Sequence, residues 1–200
     1  MPEIKLHLAR DMLAFWQQTE VELYARAAGS GDTPPPYWAF AWPGGQALAR
    51  YILDRRSEFS GKCVLDFGSG SGLVAIAAAL AGAAPVIATE IDAGALTAME
   101  INAAANGVYI EQIEYDIIGG SGRWHIVCAG DICYERPLAE RAIAWLKQLA
   151  ADGTEVLIGD PGRSYLPASG MVTLATYDIP TSREIEDRES RETSVYRLLP

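Results

Sequence analysis

The chemistry of this chain begins at a run of alternating glycines behind an acid. Asp66-x-Gly68-x-Gly70-x-Gly72 follows the apolar stretch CVLDF (63–67) and precedes GLVAIAAALAGA (72–83), so the spacing predicts strand, glycine loop and helix. Open α/β sheets bind ligands at such a turn. Two phosphate loops fit poorly. A dinucleotide fingerprint needs a third glycine where Leu73 stands, and a P-loop needs a lysine, yet none occurs between Lys62 and Lys147. An acid two positions ahead of the first glycine is a poor neighbour for pyrophosphate. It suits a ligand with positive charge, such as the ammonium and sulfonium of S-adenosylmethionine. The glycines let the backbone approach closely, and the helix N-terminus can receive a carboxylate.

A second acid, Glu90, ends the stretch PVIATEID (85–92), where a carboxylate can accept from both ribose hydroxyls. Gly68, Ser69 and Gly70 of the loop belong to the same expected cofactor site. Asp116, closing IEQIEYDII (110–118), is either an acceptor for the adenine amino group or a plain surface acid.

GDICYE (130–135) follows the next apolar stretch and brings Asp131 and Tyr134 to the same sheet edge. A carboxylate there has a task if the acceptor is a lysine: the ammonium, with a pKa of ~10.4, must lose a proton before it attacks. A nearby acid orients it, and apolar walls lower its pKa by desolvation. IGDPGR (158–163) adds Asp160 in a strong turn sequence and Arg163, either a surface charge or a contact to substrate or another loop. PPPYWAFAWPGG (34–45) is uncharged and packs four aromatics into six positions. Laid across the carboxyl edge of the sheet, it would act as a lid, with Trp42 on the cofactor and Trp38 on the acceptor side. Tyr37 and Phe40 are more ordinarily core residues.

These residues need a scaffold. Residues 5–28 read as one amphipathic helix, and Gln46–Arg56 as a second. Strands are expected at 63–67, 85–92, 110–118, 124–134 and 154–161, with helices at 72–83, 93–107 and 137–150 between them. Two further strands, 170–179 and 193–199, end the chain as an antiparallel hairpin, and the charged run REIEDRESRE (183–192) is expected to be its solvated loop. The alternation predicts an α/β, Rossmann-like seven-stranded sheet, mainly parallel, with an antiparallel final strand and helices on both faces. The whole chain, 1–200, reads as one domain: N-terminal helices and lid over 1–60, the core over 61–200.

Composition narrows the partners. With 16 basic and 26 acidic residues the chain carries a net charge of −10, which argues against nucleic acid or an anionic membrane as partner. Three cysteines and two histidines fall in no metal-ligand spacing. No apolar run reaches the ~18 residues of a membrane span. Acids at Glu3, Asp11, Glu20 and Glu22 disfavour a mitochondrial targeting helix, so a cytoplasmic protein is expected.

PYWAFAWPGGQAL, LDFGSGSG, GDICYE and LIGDPGR occur in this order, and together over about residues 34–200 they resemble the electron transfer flavoprotein beta-subunit lysine methyltransferases. The Asp131-x-x-Tyr134 pattern resembles the signature of a wider group of lysine methyltransferases. The resemblance implies the seven-strand fold and S-adenosylmethionine as donor, with lysines of the flavoprotein beta subunit as acceptor. It also implies that Asp66, Gly68, Gly70 and Glu90 carry the cofactor, with Trp42 near it and Asp131 near the target lysine. A small-molecule N-methyltransferase on the same fold is the alternative.

Overall fold

A computed structural model describes residues 2–9 and 36–200. After a 3-10 turn at Tyr37–Ala39 come α1 (Pro43–Asp54), α2 (Arg56–Phe59), β1 (Val64–Phe67), α3 (Leu73–Leu80), β2 (Val86–Thr89), α4 (Ala93–Asn106), β3 (Glu111–Ile113), β4 (Ile126–Gly130), α5 (Arg136–Ala151) and β5 (Glu155–Asp160). The chain closes with β6 (Met171–Pro180), α6 (Arg183–Glu186) and β7 (Ser190–Leu198). The strands form one seven-stranded sheet in the order β3-β2-β1-β4-β5-β7-β6. β3, β2, β1, β4 and β5 are parallel, and β7 runs antiparallel to both β5 and β6.

The central strands are short apolar runs because both faces of the sheet are covered. Every residue of β1 is buried. One face packs against Leu48 and Ile52 of α1, Ile76 of α3 and Met99 of α4. The other packs against Ile143, Trp145 and Leu146 of α5, with Trp124 beside Trp145. α1 starts with Pro43 at its first turn, where a missing N–H costs nothing.

Strand order reverses between β1 and β4, whose register pairs Phe67 with Ala129. Loops leaving these two strands therefore diverge and open a crevice at their carboxyl ends. The glycine loop and Asp131 stand on either side of it.

Four expectations are corrected. The predicted helix over 5–28 lies mostly outside the described residues, and its described part, Lys5 to Ala9, is not helical. Its backbone is bonded to helix side chains instead: Lys5 N–H donates to Asn106 and His7 N–H to Asn102 of α4. The third strand spans only Glu111–Ile113, because the Asp116 carboxylate captures the Ile118 N–H and turns the chain. The fourth ends at Gly130, since Asp131 takes a positive φ of 54°. The charged run after β6 is not simply solvated: it contains α6, and Glu186 is buried.

Candidate active site

A cavity of about 460 Å³ opens at the carboxyl ends of β1, β2 and β4. That size falls within the ~300–1,000 Å³ of small-molecule sites. Of the residues singled out in the sequence, Trp38, Trp42, Gly68, Gly70, Glu90, Asp116, Asp131, Tyr134 and Arg163 line it. Asp66 and Ser69 do not; they border a smaller adjoining pocket of about 50 Å³ under Trp42. Asp160 lines neither and is fully buried.

On the glycine-loop wall the polar groups are held by one another. Glu90 Oε2 accepts from the Gly70 N–H at 3.0 Å, and Oε1 accepts from the Ile91 N–H at 2.8 Å. Gly68 has φ +66°, and a Cβ there would meet no atom within 4 Å, so its backbone faces open space. Asp66 turns inward. Its Oδ2 accepts from Ser69 Oγ and from the Ala75 N–H of α3, so it clamps the loop onto the helix start. Burial raises its pKa to about 7, against the pull of those two donors. At the far end Asp116 pairs with Arg141 at 2.6 Å, which holds its carboxyl below the usual range. Exposed Ile91 and Tyr115 complete that wall.

Asp131 organises the opposite wall. Its Oδ2 accepts from the N–H groups of Gly44 (2.5 Å) and Gly45 (3.1 Å) in the first turn of α1. Its Oδ1 accepts from Nε (3.2 Å) and Nη2 (2.9 Å) of Arg163. The carboxylate thus sits at a helix N-terminus with both oxygens engaged. Burial raises its pKa to about 6, opposed chiefly by the Arg163 charge. Arg163 reaches it because Asp160 Oδ1 accepts from the N–H groups of Gly162 and Arg163 and fixes the loop after β5.

Aromatic rings complete the mouth. Tyr37 lies 5.9 Å from Trp42 and 5.3 Å from Tyr134, and Trp42 Nε1 donates to the Tyr37 carbonyl at 2.7 Å. The Arg163 guanidinium stands 5.7 Å from the Trp42 ring centre. Tyr134 is 42% exposed, so it sits at the rim, and burial of its remainder pushes its pKa to about 12.

Sequence reading missed four participants. Gly44 and Gly45 have no side chain to signal a role, yet their amides donate to the Asp131 carboxylate. Glu186 sat inside a run that looked solvated. Tyr37 was assigned to the core and instead bridges Trp42 and Tyr134. Among the described residues no cluster of His, Cys, Asp and Glu could hold a metal.

A family model for ribosomal protein L11 methyltransferase matches residues 47–127, which span α1 to β4. The ribosomal protein L11 methylase of Lactobacillus delbrueckii superposes with a TM-score of 0.55 at 24% identity over 79% of each chain. Magnesium protoporphyrin IX methyltransferase of Synechocystis, solved with bound S-adenosylmethionine, superposes with a TM-score of 0.60 at 17% identity, over 92% of this chain and 94% of that one. The fold is that of a class I methyltransferase. The relationship is closer to one branch. The electron transfer flavoprotein beta subunit lysine methyltransferase of Xenopus laevis is 36% identical over all of this chain and 80% of its own length, and that of Mus musculus 34% identical over all of this chain and 78% of its own. The chain belongs to the electron transfer flavoprotein beta subunit lysine methyltransferase family.

Proposed function

We propose that this protein transfers methyl groups from S-adenosylmethionine to lysine side chains of an electron transfer flavoprotein beta subunit. The observation that carries the reading is one crevice with two unlike walls: a glycine loop latched to Glu90 on one side, an aromatic rim backed by Asp131 on the other.

The donor fits the residues present. Gly68 leaves room for close backbone approach, and Glu90 and Asp116, both on the cavity wall, would accept from the ribose hydroxyls and from an adenine amino group. Asp66 and Ser69, below the loop, hold it in shape. When bound, S-adenosylmethionine supplies a methyl group made electrophilic by its sulfonium.

The protein's own work is positioning. Trp42 and Tyr37 wall the mouth of the cavity, and Tyr134 stands at its rim. Aromatic faces attract an ammonium and exclude water from it. The Asp131 charge lies behind this wall and favours a cation at the mouth, while desolvation there eases loss of the lysine proton to solvent. The deprotonated amine would then attack the methyl carbon in line, the N–C bond forming as the C–S bond breaks and the thioether leaves. Arg163 and Asp160 shape the acceptor side. A net charge of −10 steers a lysine-bearing surface toward the site.

We place the enzyme in the cytoplasm, where its free thiols at Cys63, Cys128 and Cys133 stay reduced. Among the described residues no helix is long and apolar enough to cross a membrane. The test is incubation of the purified protein with labelled S-adenosylmethionine and a bacterial lysate. Label in the flavoprotein beta-subunit band supports the reading, and label only in small metabolites refutes it.

A further inference from the structure

Glu186 belongs to a sequence run of alternating charges, yet its side chain is only 4% exposed. Buried carboxylates at a hairpin tip are unusual, and both of its oxygens are engaged. Oε1 accepts from Arg163 Nη2 at 2.5 Å, and Oε2 from Arg163 Nη1 at 3.2 Å. Arg191 of β7 adds a second cation, Nε standing 3.2 Å from Oε2. This is a two-pronged grip on a guanidinium that cannot be deprotonated.

The grip is transmitted. Arg163 uses its remaining edge, Nε and Nη2, on Asp131 Oδ1. Asp131 uses its other oxygen on the Gly44 and Gly45 amides. Those amides begin α1 directly after Trp42, the residue that caps the helix and walls the cavity. Charges alternate along the relay, and with Arg191 the four groups sum to zero. Removing the Glu186 charge leaves one excess positive charge and frees half of the Arg163 fork. A fork with only one carboxylate left re-aims toward Asp131, and Asp131 then shifts against the glycine amides.

We propose that Glu186 is a positioning residue for methyl transfer, acting through Arg163 and Asp131 to fix the first turn of α1 and the Trp42 wall. The inference rests on the function proposed above, and it ties the β6–β7 hairpin to the acceptor side of the site.

The test is Glu186→Gln, compared with Glu189→Gln, which removes an equal charge from the exposed Arg183–Glu189 pair on the same hairpin. Glu186→Gln is expected to lower kcat for flavoprotein methylation about tenfold or more. The Kd for S-adenosylmethionine should stay within about twofold, because Glu186, Arg163 and Asp131 make no contact with Glu90 or the Gly70 amide. In ¹⁵N-labelled protein the Gly44 amide resonance should move in Glu186→Gln and hold still in Glu189→Gln. Loss of stability alone would change neither native-state kcat nor that resonance. A kcat within about twofold of wild type, or an unmoved Gly44 resonance, overturns the inference. If Glu186→Gln does not fold, Glu186→Asp keeps the charge on a shorter stem, and the same two readouts decide. If the wild type methylates no flavoprotein, the proposed function falls, and the Gly44 resonance alone decides the role of Glu186.

Discussion

Replacing Gly44 with alanine should damage this protein far more than replacing its neighbour Gly45. A Cβ at Gly44 would overlap the Gly159 carbonyl oxygen of β5 and lie 2.6 Å from Asp131 Oδ2. Neither atom can yield freely: one is backbone in the sheet, the other is held by Arg163. A Cβ at Gly45 would find its nearest neighbour, a Val74 methyl, at 3.9 Å, an ordinary contact. Overpacking of this kind costs about 1–3 kcal/mol. If the first turn of α1 retreats, two amide bonds to a carboxylate weaken as well, each worth about 1.5–3 kcal/mol. Overpacking together with a partial loss of those bonds gives about 2–5 kcal/mol for Gly44→Ala, or roughly 5–15 °C in Tm for a domain of this size. Gly45→Ala should instead be neutral or gain up to about 0.5 kcal/mol from helix propensity. Thermal melts of the two variants beside wild type make the comparison. Equal midpoints for the two would show that α1 does not seat its backbone directly on β5, and the account of the Asp131 wall would fail with it.

Asp131→Ala should abolish measurable methyl transfer while S-adenosylmethionine still binds; calorimetry beside an activity assay checks it, and undiminished transfer would remove Asp131 from the acceptor side. Glu90→Ala should weaken S-adenosylmethionine binding at least about tenfold, since a carboxylate bridging ribose hydroxyls is a charge-assisted contact; an unchanged Kd would mean that Glu90 serves only the Gly70 amide. The ligand-free protein should lose stability as pH rises. Asp66 titrates near 7 when folded, above its ordinary 3.8, so the native state holds this proton more tightly than the unfolded chain. The stability this contributes is complete below pH 3.8 and gone above pH 7, amounting to at most about 4 kcal/mol. Asp66→Asn can keep an oxygen for Ser69 and Ala75, and its melts at pH 5 and pH 8 should differ less than those of wild type. An identical pH dependence in the variant would contradict the assignment.

Much of this molecule could be read from its residue pattern, for physical reasons. Parallel strands buried on both faces must be apolar runs, so VLDF and EVLIG announce themselves, and the glycine loop between β1 and α3 marks the ligand edge. Glu90 and Asp131 are legible because strand ends in such a sheet converge on one crevice. What could not be read depends on tertiary partners. Lys5 to Ala9 carries part of a helical pattern, yet its amides are satisfied by Asn102 and Asn106 on another element. Glu186 looks solvated because its neighbours are charged, and only the hairpin's return past the β5 loop puts Arg163 within reach. Asp66 is the converse case: its place in the sequence was recognised, but its carboxylate faces the loop and helix behind the cavity, a direction set by backbone geometry alone.

The central claim is lysine methylation of the flavoprotein beta subunit. The most direct test mixes purified enzyme, S-adenosylmethionine and purified electron transfer flavoprotein, then maps modified residues by tandem mass spectrometry. The account predicts methyl increments on beta-subunit lysines that disappear with Asp131→Ala. A beta subunit left unmodified by wild-type enzyme that binds S-adenosylmethionine would contradict it.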